Sequence, residues 1–220
     1  MKIYKVLQLT RNLTVDAHWQ KTPWSEVAAL EIAAYSGKEP AHLPRVQAKL
    51  AYDATALYVI FRVEDRYVRA TAQNYQDEVF KDSCVELFVT PGEDVSLGYF
   101  NLEVNCGGTA LFHHQKGRHI EDVPVSAADF SQVQIAHTLP KRVEPEIEEP
   151  LTWVVEYRLP LTILHDYAHI DLPSTGTIWR ANLYKCADGS SHPHWLSWAP
   201  IDLPEPDFHR PEFFGQLVFE

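Results

Sequence analysis

Asp82-Ser83-Cys84-Val85-Glu86-Leu87-Phe88-Val89-Thr90 is the stretch that decides the fold. Val85, Leu87 and Val89 recur at every second residue, and side chains of an extended strand alternate between faces, so the three form one apolar stripe. Cys84, Glu86 and Phe88 share the other face. The same division recurs in 99–105, where Leu102 and Val104 oppose Asn101, Glu103 and Asn105. In 178–185, Ala181 and Leu183 oppose Arg180, Asn182 and Tyr184. The expectation is a sheet with one buried apolar face and one face rich in hydrogen-bonding groups.

Outward from these segments, period-two alternation of β-branched and aromatic residues predicts strands near 2–9, 46–52, 57–63, 84–90, 99–105, 109–114, 133–138, 151–159, 178–185 and 215–219. Asp53-Ala54-Thr55 and Cys106-Gly107-Gly108 read as hairpin turns, the second because Gly tolerates positive φ. Helical signal is limited to 24–30 after Pro23 and 161–167 after Pro160, Pro being favoured at the first helical position. The acidic, Pro-bounded segment 140–150 reads as a solvated loop. Together these predict a single all-β domain over 1–220, an antiparallel β-sandwich of immunoglobulin-like or jelly-roll-like build.

Composition narrows the partners. Nineteen Lys plus Arg against 30 Asp plus Glu give a formal net charge of −11, which repels a nucleic-acid backbone and disfavours strongly anionic ligands. No apolar run approaches the length of a membrane span, and the N-terminus carries only short apolar runs. The expectation is a protein that is cytoplasmic as given, or extracytoplasmic if a leader has been removed. Cys84, Cys106 and Cys186 are widely spaced, with neither a disulfide framework nor a zinc ribbon indicated.

The polar faces carry the chemistry. Asn101, Asn105 and Asn182 are poor strand formers, so their presence in strands points to work for their amides. Phe80 precedes one site strand, and Phe208 opens the loop that feeds the last strand. Aromatic faces stack on the apolar C–H faces of a sugar ring while amides and carboxylates bond its hydroxyls, so this combination suits a neutral oligosaccharide or polysaccharide. Two other chemistries share the residues. Glu86 and Glu103 form a carboxylate pair of the type used in glycoside hydrolysis, although Arg180 on the same face is expected to neutralise one and keep both as anions. Bis-His ligation of haem would draw on His113-His114 or His192-Pro193-His194.

The chain also resembles the family 9 carbohydrate-binding modules and the family 9-like proteins of the DOMON-like β-sandwich group. The resemblance runs from Leu13-Thr14-Val15-Asp16 and Trp24, through 46–53, 57–65 and Asp82-Ser83-Cys84-Val85-Glu86-Leu87-Phe88, to Trp153-Val154-Val155-Glu156, Trp179-Arg180-Ala181-Asn182-Leu183, Ser197-Trp198-Ala199-Pro200 and Pro211-Glu212-Phe213-Phe214-Gly215. It implies non-catalytic binding of a terminal sugar or oligosaccharide, no required cofactor, and a role in polysaccharide catabolism beside separate glycoside hydrolases. It places Phe80 and Phe208 where sugar-binding members have two Trp, Glu86 on the family's strand Glu and Asn105 on its strand Asn. Glu103 stands where the family has an Arg, and Tyr184 where it has a Gln. The implied contact set is Phe80, Glu86, Glu103, Asn105, Arg180, Asn182, Tyr184 and Phe208. Calcium as a structural ion is implied as well, with Asp16, Asp53 and Asp65 as its candidate oxygen ligands.

Overall fold

The structure, a computed structural model, describes the chain apart from residues 11, 12, 169 and 171. In chain order the strands are β1 (Ile3–Gln8), β2 (Leu30–Glu31), β3 (Ala34–Tyr35), β4 (Arg45–Tyr52), β5 (Ala56–Asp65), β6 (Val68–Ala70), β7 (Cys84–Thr90) and β8 (Tyr99–Asn105). They continue as β9 (Ala110–Gln115), β10 (Val123–Pro124), β11 (Gln134–His137), β12 (Val143–Ile147), β13 (Leu151–Pro160), β14 (Ile178–Cys186), β15 (Trp195–Ser197) and β16 (Gly215–Phe219). Two short α-helices, α1 (Ala127–Phe130) and α2 (Leu161–Ala168), and four 3-10 turns complete the regular structure among the described residues. None is long and apolar enough to cross a membrane.

The strands form two layers joined through β1. One layer runs β10-β9-β8-β7-β14-β16-β1 and the other β1-β4-β5-β13-β11. Ile3–Val6 pair with β16 and Leu7–Gln8 with β4, both in parallel, so β1 leaves one sheet and enters the next. The all-β sandwich stands, with this parallel strand as an exception to the expected antiparallel pairing. Val85, Leu87, Val89, Leu102, Val104, Ala181 and Leu183 all enter the core between the layers, facing Val59, Phe61, Val63, Trp153 and Val155 of the second sheet. Full burial of such side chains is worth about 1.5–3 kcal/mol each, which makes the period-two stripe the main determinant of which face turns inward.

Two local expectations are corrected, and the polar face proves to be covered. Segment 24–30 forms only a 3-10 turn at Trp24–Glu26. Segment 140–150 is no plain loop, because β12 pairs with β6 and buries Val143. The polar face of the first sheet is not a solvated one: Glu86, Asn101, Glu103, Asn105, Asn182 and Tyr184 are all buried. Phe214 and Ile201 pack on Phe88, Tyr99 and Tyr184, which fastens the last irregular segment over that face.

Candidate functional site

A cavity of about 490 Å³ opens on this covered face, between the sheet floor and the segments carrying Phe80, Asp188, Trp195 and Phe208. That volume lies within the range of about 300–1,000 Å³ typical of small-ligand sites.

The floor is built by register. Glu86 of β7 lies directly opposite Glu103 of β8, and Asn101 of β8 opposite His113 of β9. A chain of amides sets the polarity of the floor: Gln115 Nε2 donates to Asn101 Oδ1 at 2.8 Å, and Asn101 Nδ2 donates to Glu103 Oε1 at 3.0 Å. Glu103 Oε2 is buried and has no hydrogen-bond partner among the described residues. Glu86 Oε1 accepts from the Cys186 thiol at 3.0 Å.

Phe80 and Phe208 wall the cavity, each held from behind. Phe80 rides on a 3-10 turn, Val79–Lys81, whose carbonyls accept from Asp188 N at 3.1 Å and Gly189 N at 2.9 Å. Phe208 stacks on Tyr184 with centroids 4.0 Å apart and planes 10° from parallel, while Tyr184 Oη donates to its carbonyl at 3.0 Å. Trp195 adds a third aromatic wall and donates its indole N–H to Asp188 at 2.7 Å.

Of the eight residues expected at the site, the structure brings Phe80, Glu86, Glu103 and Phe208 to the cavity. The other four lie outside its lining and serve the scaffold. Asn105 accepts from Gly107 N and Thr109 N in the β8–β9 turn and donates to Asp82. Asn182 bonds both the N–H and the carbonyl of Ala199, mimicking a missing strand. Tyr184 supports Phe208. Arg180 turns to the carbonyls of Phe214 and Gly215, so it neutralises neither carboxylate.

The electrostatics follow from that absence. Burial, reinforced by the neighbouring Cys186 thiol and Glu103, pushes Glu86 well above the ordinary carboxylate range. Burial likewise raises Glu103, against the bond from Asn101. Two anions, the expected state, are therefore disfavoured here. A group whose folded pKa is raised stabilises the fold fully below its unfolded pKa, and that contribution is lost as pH climbs towards the folded value. Glu103→Gln removes one such group, so the variant's melting temperature is expected to fall less than the parent's between about pH 5 and pH 8. A parallel fall in both would show that Glu103 ionises without penalty.

Metal and haem chemistry receive different answers. Among the described residues one group has metal-like spacing, Cys84, Glu86 and Cys186, with ligand atoms within 4.8 Å of one another. Two thiols do not suit calcium, which takes oxygen ligands. Burial pushes the Cys84 thiol up to about 12 and Cys186 well above its ordinary value, so both are held as thiols. Asp16 pairs with Lys21, Asp53 closes its turn on Thr55, Ala56 and Tyr58, and Asp65 meets His42 and Lys185. Each carboxylate is thus already met by donors of the chain itself, and the three do not fit one calcium site. The histidines diverge as well: His113 bonds Asp122 at the cavity, His114 packs on Phe100, His192 stacks on Tyr67, and His194 is buried against Lys185.

Comparison with known proteins bears on this geometry. The family model described as carbohydrate-binding family 9 matches residues 17–219. No curated protein matches. Among solved structures, a candidate carbohydrate-binding protein from Bacteroides uniformis ATCC 8492 is similar at 26% identity, covering 100% of this chain and 99% of that one with a TM-score of 0.88. A family 9 carbohydrate-binding module from Caldicellulosiruptor kristjanssonii, solved with glucose, is similar at 16% identity, 100% and 96% coverage and a TM-score of 0.67. The structure of a family 9 module from that organism with cellotriose gives 16%, 100% and 94%, and 0.66.

Proposed function

The chain belongs to carbohydrate-binding family 9, a non-catalytic family, and from that premise we propose that one sugar ring enters the cavity between Phe80 and Phe208 and bonds Glu103. The observation that carries the reading is the buried, unpartnered Glu103 Oε2 on the floor between two aromatic walls. A buried acceptor left unmade costs about 1–3 kcal/mol, and a ligand hydroxyl recovers it. Phe80 and Phe208 receive the apolar faces of the ring, while Gln115 and Asn101 hold the acceptor in place. With four of the expected contacts diverted to the scaffold, specificity rests on Glu86, Glu103 and further lining residues such as His113, Asp188 and Trp195. A binder of this kind supplies no bond cleavage, so separate glycoside hydrolases are the partners that would supply it. The metal-like group at this floor joins Glu86 to two buried thiols, Cys84 and Cys186, a donor set that does not suit calcium.

Glucose and cellotriose are the first probes, because proteins of the same fold hold them. Titration calorimetry on these sugars and on hits from a glycan array tests the clamp. Each aromatic ring contributes about 0.5–1.5 kcal/mol beyond area burial, so Phe80→Ala and Phe208→Ala are each expected to weaken a confirmed ligand roughly tenfold. If both variants bound as well as the parent, the aromatic clamp would be abandoned.

A further inference from the structure

The charge inventory of the cavity is lopsided. Glu86, Glu103 and Asp188 all line it, and electrostatic repulsion links each to another of the three. The bases of the lining are already engaged. Arg118 pairs with Asp207 at 2.7 Å, and His113 and His119 both turn to Asp122, at 2.5 and 3.6 Å. Arg180 bonds backbone carbonyls, and Lys185 pairs with Asp65 and His194. Among the described residues, none of these three carboxyl groups has an ion-pair partner.

Like charges directly opposite in an antiparallel ladder are destabilising, and buried charge is ordinarily paired. At the floor of the cavity Glu86 and Glu103 stand directly opposite with no cation beside them, so the floor holds a proton rather than two anions, and Glu103 Oε2 is buried without a donor among the described residues. A neutral hydroxyl would fill that one lone pair. An ammonium would fill it and also supply the missing positive charge, and charge-assisted bonds are roughly twice as strong as neutral ones. Phe80 and Phe208 are compatible with such a ligand, since aromatic faces attract cations as well as C–H groups.

We propose that the cavity selects a sugar bearing a free amine, a hexosamine unit whose ammonium sits against Glu103 and Glu86 while its ring lies between Phe80 and Phe208. This rests on the sugar-binding reading above. Binding then displaces a proton from the floor, because the carboxyl group beside the ammonium becomes an anion.

The experiment is calorimetry of the intact chain with glucosamine, N-acetylglucosamine and glucose at about pH 6.5, where a sugar amine is charged, in buffers of different ionisation enthalpy. Glucosamine is expected to bind at least about tenfold tighter than either neutral sugar and to release protons. Glu103→Gln, checked for folding by its melting curve, is expected to bring the three affinities together, and Glu86→Gln to narrow the gap. Glucose or N-acetylglucosamine binding as tightly as glucosamine overturns the amine and leaves the sugar site standing. An undiminished glucosamine preference in both variants overturns the assignment to this floor. If these three sugars and the oligosaccharides of the array all fail to bind, the sugar-binding reading falls and takes the inference with it.

Discussion

Asp65→Ala is expected to cost the fold about 3–5 kcal/mol, because it strands a buried ammonium between the two sheets. Asp65 ends β5 in one layer, and Lys185 projects from β14 in the other. Lys185 Nζ lies 3.5 Å from Asp65 Oδ2 and 2.7 Å from His194 Nε2, and neither side chain of the ion pair has any exposed surface. His42, Trp153 and the Arg66 N–H complete the shell around the carboxylate. Burial alone would raise Asp65, yet the Lys185 charge and the His42 bond outweigh it and hold the carboxyl well below its usual range. Burial first, and Lys185 second, push His194 down to about 3. Both folded values are depressed, so the stability they carry is present above the unfolded pKa values and is lost as pH falls, for His194 from about 6.5 downwards. Urea titrations at about pH 7.5 and pH 4.5 check both statements: the parent should weaken at the lower pH, and His194→Gln should weaken less. The double variant Asp65→Leu with Lys185→Met removes both charges and should recover much of the loss. An Asp65→Ala loss under about 1 kcal/mol would mean that water reaches Lys185 and that the pair is no inter-sheet tie.

How far the sequence could be read follows from which signals are local. The inward stripe of Val85, Leu87 and Val89 was legible because burial on one side imposes a period of two within a single strand. The covering of the opposite face was not, since the segments that close it, around Asp188, Trp195 and Phe208, come from far along the chain and carry no periodicity. Asn105 and Asn182 show how residue type can mislead: an amide in a strand does have work, but here the work is bonding Gly107, Thr109 and Ala199. Gln115 and His113 could have been found. The Cys106–Gly108 turn fixes the β8–β9 register, which sets Gln115 opposite Tyr99 and His113 opposite Asn101 and so brings both beside the expected polar face. Arg180 was misplaced because its charge suggested a carboxylate partner, whereas the carbonyls of Phe214 and Gly215 lie closer along the paired strand β16.

Asp82→Ala carries the second large expectation, because one buried carboxylate supports the turn that presents Phe80. Asp82 follows that turn, has no exposed surface, and accepts from Thr71 N, Ala72 N and Asn105 Nδ2, each at 2.9 Å, and from Thr71 Oγ1 at 2.9 Å. Arg69 Nε approaches to 3.5 Å. Truncation leaves the backbone N–H groups of Thr71 and Ala72 without acceptors, at about 1–3 kcal/mol each before relaxation, and leaves the Asn105 amide only a long bond of 3.4 Å to the Ala72 carbonyl, so a loss of about 3–5 kcal/mol is expected in denaturant titration. Asp82→Asn keeps one acceptor oxygen but sets a new N–H₂ against existing donors, and should fall between the variant and the parent. Sugar affinity should respond less than stability does. Phe80 and Lys81 are also tied through their carbonyls to Asp188 and Gly189, so the ring keeps one of its two anchors when Asp82 is cut away. Below the unfolding transition, Asp82→Ala should therefore weaken a confirmed sugar by less than Phe80→Ala does. Asn105→Ala belongs in the same series: with its amide spent on Asp82 and the β8–β9 turn, it should lower stability and leave affinity per folded molecule close to the parent's. A selective loss of affinity in Asn105→Ala at unchanged stability would return Asn105 to the binding surface and refute the division between walls and scaffold drawn above.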